Sequence, residues 1–335
     1  MRTFHSMIFW IVMALTLLLG GGCTGHGGGK RPDFKAGEVA AVPIHDYGRA
    51  LFSIPSGRFM EGLAGLSGEY GFFLRGNLAD TLAVLRMREF VTDPFIRTVA
   101  KECMARYDDL QGLEDSLGLM FAYLRHYFPS EPDPKVYAYV SGLHYEQPVE
   151  YFDSVMIIGL DMFLGEASPF YAQVGMPAFM AHRCTRAHIL PSCAEAISHT
   201  YNSPMQQQDL VSAMLFEGKR LYFMQSLIPG TPDHLLLKYT SAQLEWCRNN
   251  EESLWGFLID NELIYSTDLN AFRRLMQDGP FTAAFGTESA PRPGHWLGWM
   301  MVQKYMERHP ETSLAELMQM SDAHALFQAS GYRPR

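Results

Sequence analysis

The stretch DLVSAMLFEGKRLYFMQSLIPGTPD, residues 209–233, sets the organisation of the second half of this chain. Side chains three and four positions apart lie on one face of a helix, and apolar residues recur at this spacing from Leu210 to Ile228. Glu217 occupies one position of that apolar stripe. The pattern therefore predicts a helix that packs on a hydrophobic core and points one carboxylate toward it.

Glu217 is open to three interpretations: a metal ligand, a buried hydrogen-bond acceptor, or the relic of an active site. A buried carboxylate has to be paired or hydrogen-bonded. Lys219 and Arg220 follow closely, but their positions turn them sideways, where long side chains can carry their charge out to solvent. The simplest expectation is a structural ion pair between Glu217 and an arginine from another segment.

The rest of the chain predicts a helix-rich α+β fold with a small sheet. Residues 82–128 have a helical pattern that is broken at Pro94 and ended by Pro129. Residues 135–146 and 153–165 alternate or run apolar, with many β-branched and aromatic residues, and predict two strands joined by a loop. Further helices are predicted at about 177–187, 191–201, 209–227, 241–249, 252–262, 269–276, 294–308 and 313–318.

Two of these helices carry a residue type that favours a helix start. Ser241 and Ser313 are the expected N-caps, because a serine hydroxyl accepts hydrogen bonds from the first free N–H groups of a helix. Glu316 follows Ser313 by three residues, which is the spacing of a capping box.

The amino terminus, MRTFHSMIFWIVMALTLLLGGGCTG, has the order of a secretory signal: a positive charge, an apolar run and small residues. The apolar run from Met7 to Leu19 is shorter than the roughly 20 residues that a bilayer-spanning helix needs. Cys23 directly follows small residues and so resembles the cysteine of a bacterial lipobox, although Gly20 stands three places before it where lipoboxes usually have leucine. We therefore expect a lipoprotein signal peptide over residues 1–22, lipidation of Cys23, a flexible Gly-rich tether over 23–40, and one folded domain over 41–335.

Composition narrows the classes of partner. With 47% hydrophobic and 13% aromatic residues, the chain can bury a full core. The net charge of −9 disfavours nucleic acid and anionic lipid headgroups as main partners, because both require a basic surface. Apart from Cys23, the four cysteines match no zinc or redox spacing, so buried free thiols or one structural disulfide are expected; they are Cys103, Cys184, Cys193 and Cys247.

Glu195, His199 and Glu217 form the strongest candidate for a chemical site. The sequence contains no HExxH motif, but Glu195 and His199 are four residues apart and therefore lie on one helix face. Two carboxylates and one imidazole could hold a zinc ion for a metal-dependent peptidase. The alternative is that His199 is a hydrogen-bonded structural residue and that no cofactor binds.

Weaker candidates lie outside this set. Asp161 ends a predicted strand, where functional residues gather, although such an aspartate also serves as a turn or cap residue. His182 and His188 lie near two cysteines, but the spacing favours solvated histidines at helix ends. Trp296 and Trp299 are most simply core residues; the alternative is that this region lines a cleft, as in a solute-binding lipoprotein.

Five strings in the chain resemble, in order and spacing, the GldB family of gliding motility lipoproteins of Bacteroidota. They are IIGLDMFLG, LFEGKRLYFMQSLIPGTPD, YTSAQLEWCRNNEESLWGFLIDNELIYSTD, DGPFT and RPGHWLGWMMVQKYM. The resemblance is close over about residues 125–335, loose over 40–124, and includes the lipobox.

That family is in turn distantly similar to zincin-like metallopeptidases, in which an HExxH helix precedes a helix whose glutamate is the third zinc ligand. By this resemblance Glu217 falls at the third-ligand position and Glu195 at the glutamate of HExxH. The two histidine positions are occupied by Ala194 and Ser198, and His199 lies one place beyond, about 100° around the helix. The resemblance therefore implies a zincin-like fold that has lost its chemistry and keeps a cleft able to hold a peptide along an edge strand.

The leading hypothesis is a non-catalytic lipoprotein of the cell envelope that faces the periplasm. It is expected to serve gliding motility, or the associated secretion and envelope machinery, as a scaffold or binding module. Its expected partners are the membrane, through the lipid on Cys23, and other envelope or motility proteins. A zinc peptidase that uses Glu195, His199 and Glu217 is the alternative.

Overall fold

The computed structural model of the chain describes residues 32–35, 37–74 and 77–334. The predicted signal peptide and Cys23 lie outside these residues. Two residues near the end of the predicted tether contact the folded body: the Tyr123 hydroxyl donates to the Pro32 carbonyl at 3.1 Å, and the rings of Phe34 and Tyr123 meet edge to face.

A mixed sheet of four short strands lies at the centre of the amino-terminal half. The strands are β1 (Ile44–Asp46), β2 (Lys135–Tyr139), β3 (Val149–Phe152) and β4 (Val155–Gly159), in the spatial order β1-β2-β4-β3. β1, β2 and β4 are parallel, and β3 runs antiparallel to β4 at the edge. The two predicted strands correspond to β2 and β4, whereas the four residues of β3 lie within the predicted loop.

Helices make up most of the remaining structure, which confirms the predominantly helical α+β prediction. They are α1 (Tyr47–Phe52), α2 (Phe59–Leu66), α3 (Gly71–Leu74), α4 (Thr81–Thr92), α5 (Pro94–Arg106), α6 (Gln111–Tyr127), α7 (Phe170–Gln173), α8 (Ile189–Tyr201), α9 (Leu210–Leu227), α10 (Asp233–Leu237), α11 (Ser241–Asn249), α12 (Glu251–Asp260), α13 (Leu269–Met276), α14 (Pro293–Arg308), α15 (Leu314–Gln319) and α16 (Ala323–Ser330). Within the described ranges, no helix combines the length and apolar character needed to cross a bilayer.

One predicted helix, at about 177–187, is wrong. Two short 3₁₀ segments, Ala178–Arg183 and Arg186–His188, take its place. The chain leaves helical geometry at Cys184, whose carbonyl accepts a hydrogen bond from the N–H of the distant Gly165 at 2.7 Å. That carbonyl is therefore used for a long-range contact instead of an intrahelical bond.

The predicted helix caps are correct at one site and displaced by one residue at the other. Ser313 and Glu316 form the expected capping box at the start of α15. At α11 the N-cap is Thr240, not Ser241, because the Thr240 hydroxyl accepts from Gln243 N–H and the Gln243 side chain accepts from Thr240 N–H. A second capping box therefore starts one residue before the predicted cap.

Two glycines allow α9 and α14 to cross with their backbones in contact. A Cβ atom at Gly218 would lie 2.2 Å from the Gly298 carbonyl oxygen, and one at Gly298 would lie 1.8 Å from the Met214 carbonyl oxygen. Neither position can carry a side chain without moving a backbone. The crossing therefore fixes how α9 is rotated in the core, and with it the directions of the charged residues beside Gly218.

The edge strand β3 and helix α8 lie side by side. The Glu131 carboxylate accepts hydrogen bonds from the hydroxyls of Tyr151 on β3 and Tyr201 at the end of α8. The described cysteines Cys103, Cys184, Cys193 and Cys247 are all buried free thiols.

Candidate functional site

Arg220 is the centre of a charged cluster between α8 and α9. Its guanidinium donates to both oxygens of Glu217, at 3.0 and 2.7 Å, and to Glu195 at 2.8 Å. Its Nε also contacts the Ser198 hydroxyl at 3.4 Å. The side chains retain 11% exposure at Arg220, 19% at Glu217 and 25% at Glu195. The expected partner of Glu217 was an arginine of another segment, but the ion pair forms within α9 because Arg220 lies one turn further on.

Lys238 and His295 complete the cluster from two other elements. Lys238, at the end of α10, places its Nζ 2.5 Å from Glu195, and His295 on α14 places its Nδ1 3.6 Å from Glu217. Burial alone would raise the pKa of Glu195, but the charges of Lys238 and Arg220 lower that pKa to about 2. Burial, with the charges of Arg292 and Arg220, holds the pKa of His295 well below its ordinary value. The imidazole is therefore neutral at neutral pH.

Lys219 points away from this cluster into the protein interior. Its side chain is fully buried, and its Nζ donates to the carbonyls of Met320, Met318 and Ser203 at 2.6, 3.2 and 3.4 Å. The expectation that Lys219 and Arg220 reach solvent is wrong, because α9 is packed on several sides by α14, α8, α15 and α16.

The structure brings Glu195 and Glu217 together through Arg220, but it does not bring His199 to them. His199 is exposed and makes no hydrogen bond or ion pair with a described residue, because the preceding Ser198 occupies the helix face toward Arg220. Among residues 32–35, 37–74 and 77–334, no three His, Cys, Asp or Glu side chains are grouped so that they could hold a metal ion.

A cleft of about 240 Å³ lies beside the cluster, and Lys238 of the cluster also lines the cleft. One wall is apolar and includes Met162, Phe163, Met176 and Met180. The polar lining includes Arg183, His188, Ser192, Lys238, Asp278 and Arg292. The cleft therefore combines an apolar wall with several cations.

Asp278 joins two of these cations. Arg183 donates to both of its carboxylate oxygens, at 2.6 and 2.9 Å, and Arg292 Nε lies 3.2 Å from it. Burial would raise the pKa of Asp278, but the hydrogen bond from Arg183 and the charge of Arg292 lower it to about 2. Two guanidinium groups thus share one carboxylate at the wall of the cleft.

Lys238 and Arg292 adopt a backbone conformation that side-chain-bearing residues rarely use. Their φ angles are 55° and 49°, in the left-handed region. Specific contacts hold the two residues there: His182 contacts the Lys238 carbonyl at 3.1 Å, and the Tyr239 hydroxyl donates to the Arg292 carbonyl at 3.0 Å. Residues with strained backbone conformations concentrate at functional sites. The strain at these two residues therefore favours the cleft as the functional site.

Three residues singled out in the sequence lie elsewhere or in different surroundings. Asp161 is fully buried and accepts hydrogen bonds from the N–H groups of Ser141 and Leu143, so it holds the loop after β2 and does not line the cleft. Trp296 is a core residue that meets Trp299 edge to face. His188, expected to be solvated, is only 5% exposed and lines the cleft.

Fold and site together define a helix-rich α+β protein in which two helices share a carboxylate–guanidinium cluster beside a cationic cleft. The chain belongs to the family described as gliding motility protein GldB, whose sequence model matches residues 29–334. This confirms the resemblance and places the protein among gliding-motility-related lipoproteins. No curated protein and no solved structure matches the chain.

Proposed function

We propose that this protein is a non-catalytic binding module of the gliding motility machinery, or of associated secretion and envelope machinery. It is anchored to a membrane through lipidated Cys23 and faces the periplasm. Membership of the gliding motility family supports the cellular role. The amino-terminal signal and the lipobox-like sequence before Cys23 support the anchor.

The position of the Arg220 guanidinium is the observation that carries the non-catalytic part of the proposal. By resemblance to zincin-like peptidases, Ala194, Ser198 and Glu217 correspond to the three zinc ligands. The guanidinium contacts two of these residues, Ser198 and Glu217, and also Glu195. A guanidinium has no open coordination position for water or a carbonyl oxygen, which a catalytic zinc ion provides. A fixed cation thus balances the carboxylates where a peptidase would use a metal.

The position of β3 as the last strand of the described sheet supports a role in binding extended peptides. β3 lies at the edge of the sheet, and no described strand pairs with its outer side. Gly159 N–H donates to the Pro148 carbonyl, and facing pairs alternate along an antiparallel ladder. Val149 and Tyr151 therefore direct their backbone groups away from β4. An extended peptide can add to such an edge through main-chain hydrogen bonds.

Metal content tests the proposal directly. The full-length protein and its Glu217→Gln variant are purified in detergent without chelator, and zinc is measured by mass spectrometry beside a peptidase assay. We expect no stoichiometric zinc and no peptide cleavage in either protein. About one zinc per chain in the parent, lost together with peptidase activity in Glu217→Gln, would establish instead the alternative based on Glu195, His199 and Glu217.

A further inference from the structure

Three buried nitrogen atoms without a hydrogen-bond partner belong to residues that line the cleft. They are Arg183 Nε, His188 Nε2 and Arg292 Nε. Of the seven such side-chain atoms among the described residues, these three belong to residues that line one cleft. Arg292 Nε lies 3.2 Å from Asp278 but without hydrogen-bond geometry. Buried polar atoms are almost always hydrogen-bonded, so these exceptions concentrate unused hydrogen-bonding capacity around the cleft.

The charges around the cleft favour an anion. Three cations and two carboxylates line the cleft: Arg183, Lys238 and Arg292 against Asp278 and Glu146. Glu146, at the rim, is exposed to water. His188 adds no charge, because burial lowers its pKa to about 4 and the ring is neutral at neutral pH. The lining of the cleft therefore has an excess of one positive charge.

Two helix amino termini strengthen this preference. His188 is the N-cap residue of α8 and Arg292 is the N-cap residue of α14, and both residues line the cleft. Neither makes a side-chain capping hydrogen bond. The amino-terminal end of a helix carries a partial positive charge and free N–H groups, which attract anions.

The volume of the cleft limits the size of the apolar group that the anionic ligand can carry. Its volume of about 240 Å³ is below the roughly 300–1,000 Å³ of typical small-molecule sites, so it suits about one large side chain. Met162, Phe163 and Met176 provide an apolar surface for that side chain. Tyr145 and Pro148, which precede the edge strand β3, form another part of the lining. A chain lying along β3 can therefore end in the cleft.

We infer that the cleft binds the carboxyl terminus of an extended peptide that ends in a large apolar residue. The terminal carboxylate lies at Arg183, His188 and Arg292, the last side chain packs on the methionine and phenylalanine wall, and the preceding residues run beside β3. This inference rests on the proposed role as a peptide-binding module and adds the chemistry by which the peptide is selected.

Binding of matched probes to the full-length protein in detergent tests the inference. The probes are a fluorescent tetra-alanyl-phenylalanine peptide with a free carboxyl terminus, the same peptide as a carboxyl-terminal amide, and 3-phenylpropionate as a competitor. We expect the free acid to bind at least tenfold more tightly than the amide. His188→Phe and Arg183→Met should bring the two affinities close together, and 3-phenylpropionate should compete weakly.

Arg186→Met is the matched control, because Arg186 is exposed and outside the cleft lining. It removes one positive charge and should keep the preference for the acid. Melting temperatures show whether each variant is folded.

Equal affinity for acid and amide would overturn the carboxylate site but leave peptide binding intact. Competition by 3-phenylpropionate as strong as by the peptide would overturn the peptide in favour of a small carboxylate. Absence of binding at about 1 mM would overturn the inference, whereas zinc content and cleavage decide the non-catalytic role separately.

Discussion

Two neighbouring cations on α9 lie in opposite surroundings. Lys219 is buried in the interior, where its Nζ donates to backbone carbonyls, whereas Arg220 pairs with two carboxylates and borders a pocket. Burial without any nearby anion lowers the pKa of Lys219 to about 8. The adjacent letters K and R in the sequence give no sign of this difference.

The different surroundings of the two residues indicate different roles: Lys219 stabilises the fold, and Arg220 is available for ligand binding. Met318 and Met320, which accept from Lys219, lie at the carboxyl-terminal end of α15, where helix carbonyls have no intrahelical partner. Lys219 therefore ties α9 to α15 as a structural cap. Arg220 instead organises charges at the edge of a cleft, where an arriving ligand can contact the same network.

The largest loss of stability is expected when a side chain is added at the glycine contact between α9 and α14. This contact fixes the rotation of α9 and therefore the directions of Lys219 and Arg220. Gly298→Ala would place a methyl group 1.8 Å from the Met214 carbonyl oxygen. Because both partners at this contact are helix backbone, α9 and α14 must separate, and we expect the free energy of unfolding to fall by about 3–4 kcal/mol. Urea denaturation measures this change.

Gly256→Ala provides the control for helix propensity. An added Cβ at Gly256, on α12, meets nothing within 4 Å, so this variant should gain up to about 1 kcal/mol. Equal stabilities of Gly298→Ala and the parent would show that the helices do not need the close crossing.

Lys219→Met should change how stability depends on alkaline pH. The Lys219 pKa is about 8 in the folded protein and 10.5 in the unfolded chain, so between these values the unfolded chain binds the extra proton. Stability of the parent should therefore rise from pH 8 to 10.5 by about 2–3 kcal/mol relative to Lys219→Met. Lys304→Met, at a site where the side chain is 44% exposed, should follow the parent curve. Parallel curves for the parent and Lys219→Met would contradict the buried position of Lys219.

Arg220→Met tests the contribution of Arg220 to stability at neutral and acidic pH. At pH 7 it leaves Glu217 without its guanidinium partner, and because the carboxylates are partly exposed we expect a loss of about 2 kcal/mol instead of the 3–5 of a fully buried pair. Glu195 has a folded pKa of about 2 against 4.5 unfolded, so its contribution is complete above pH 4.5 and disappears toward pH 2.

The difference between the parent and Arg220→Met should therefore shrink over that acid range in urea titrations. Arg220→Lys should give an intermediate loss, since it keeps the charge but not the forked geometry. A difference that stays constant from pH 7 to 2 would show that Glu195 and Arg220 are not coupled.

Periodicity predicted the helices well where an apolar stripe was long. The bounds of α13 were predicted as observed, and those of α9 differ by one residue. The pattern failed for short elements: β3 has four residues and α10 has five, too few to establish a period. The segment at 177–187 failed because a long-range backbone contact at Cys184 overrides its helical composition.

The site was predictable only in its carboxylates. Glu195 and Glu217 are on long helices whose faces can be read from spacing, and they do share one partner. Lys238 and Arg292 sit in left-handed turns that neither residue type favours, so their local sequence gives no signal. His295 stands in the string RPGHW, but its approach to Glu217 depends on the crossing of α9 and α14 at Gly218 and Gly298, which only the three-dimensional packing establishes.

The smallest effect is expected at His199. This residue is exposed and makes no hydrogen bond or ion pair with a described residue, so His199→Ala should change the free energy of unfolding by less than about 0.5 kcal/mol. It should also leave peptide binding and zinc content unchanged. His199→Ala distinguishes the two hypotheses. In the peptidase alternative, His199 supplies the only imidazole ligand, and its removal abolishes zinc binding. In the proposed binding module, Arg220 provides the positive charge. A zinc stoichiometry that falls in His199→Ala would therefore place the working chemistry on the outer face of α8 and leave Arg220 with a structural role alone.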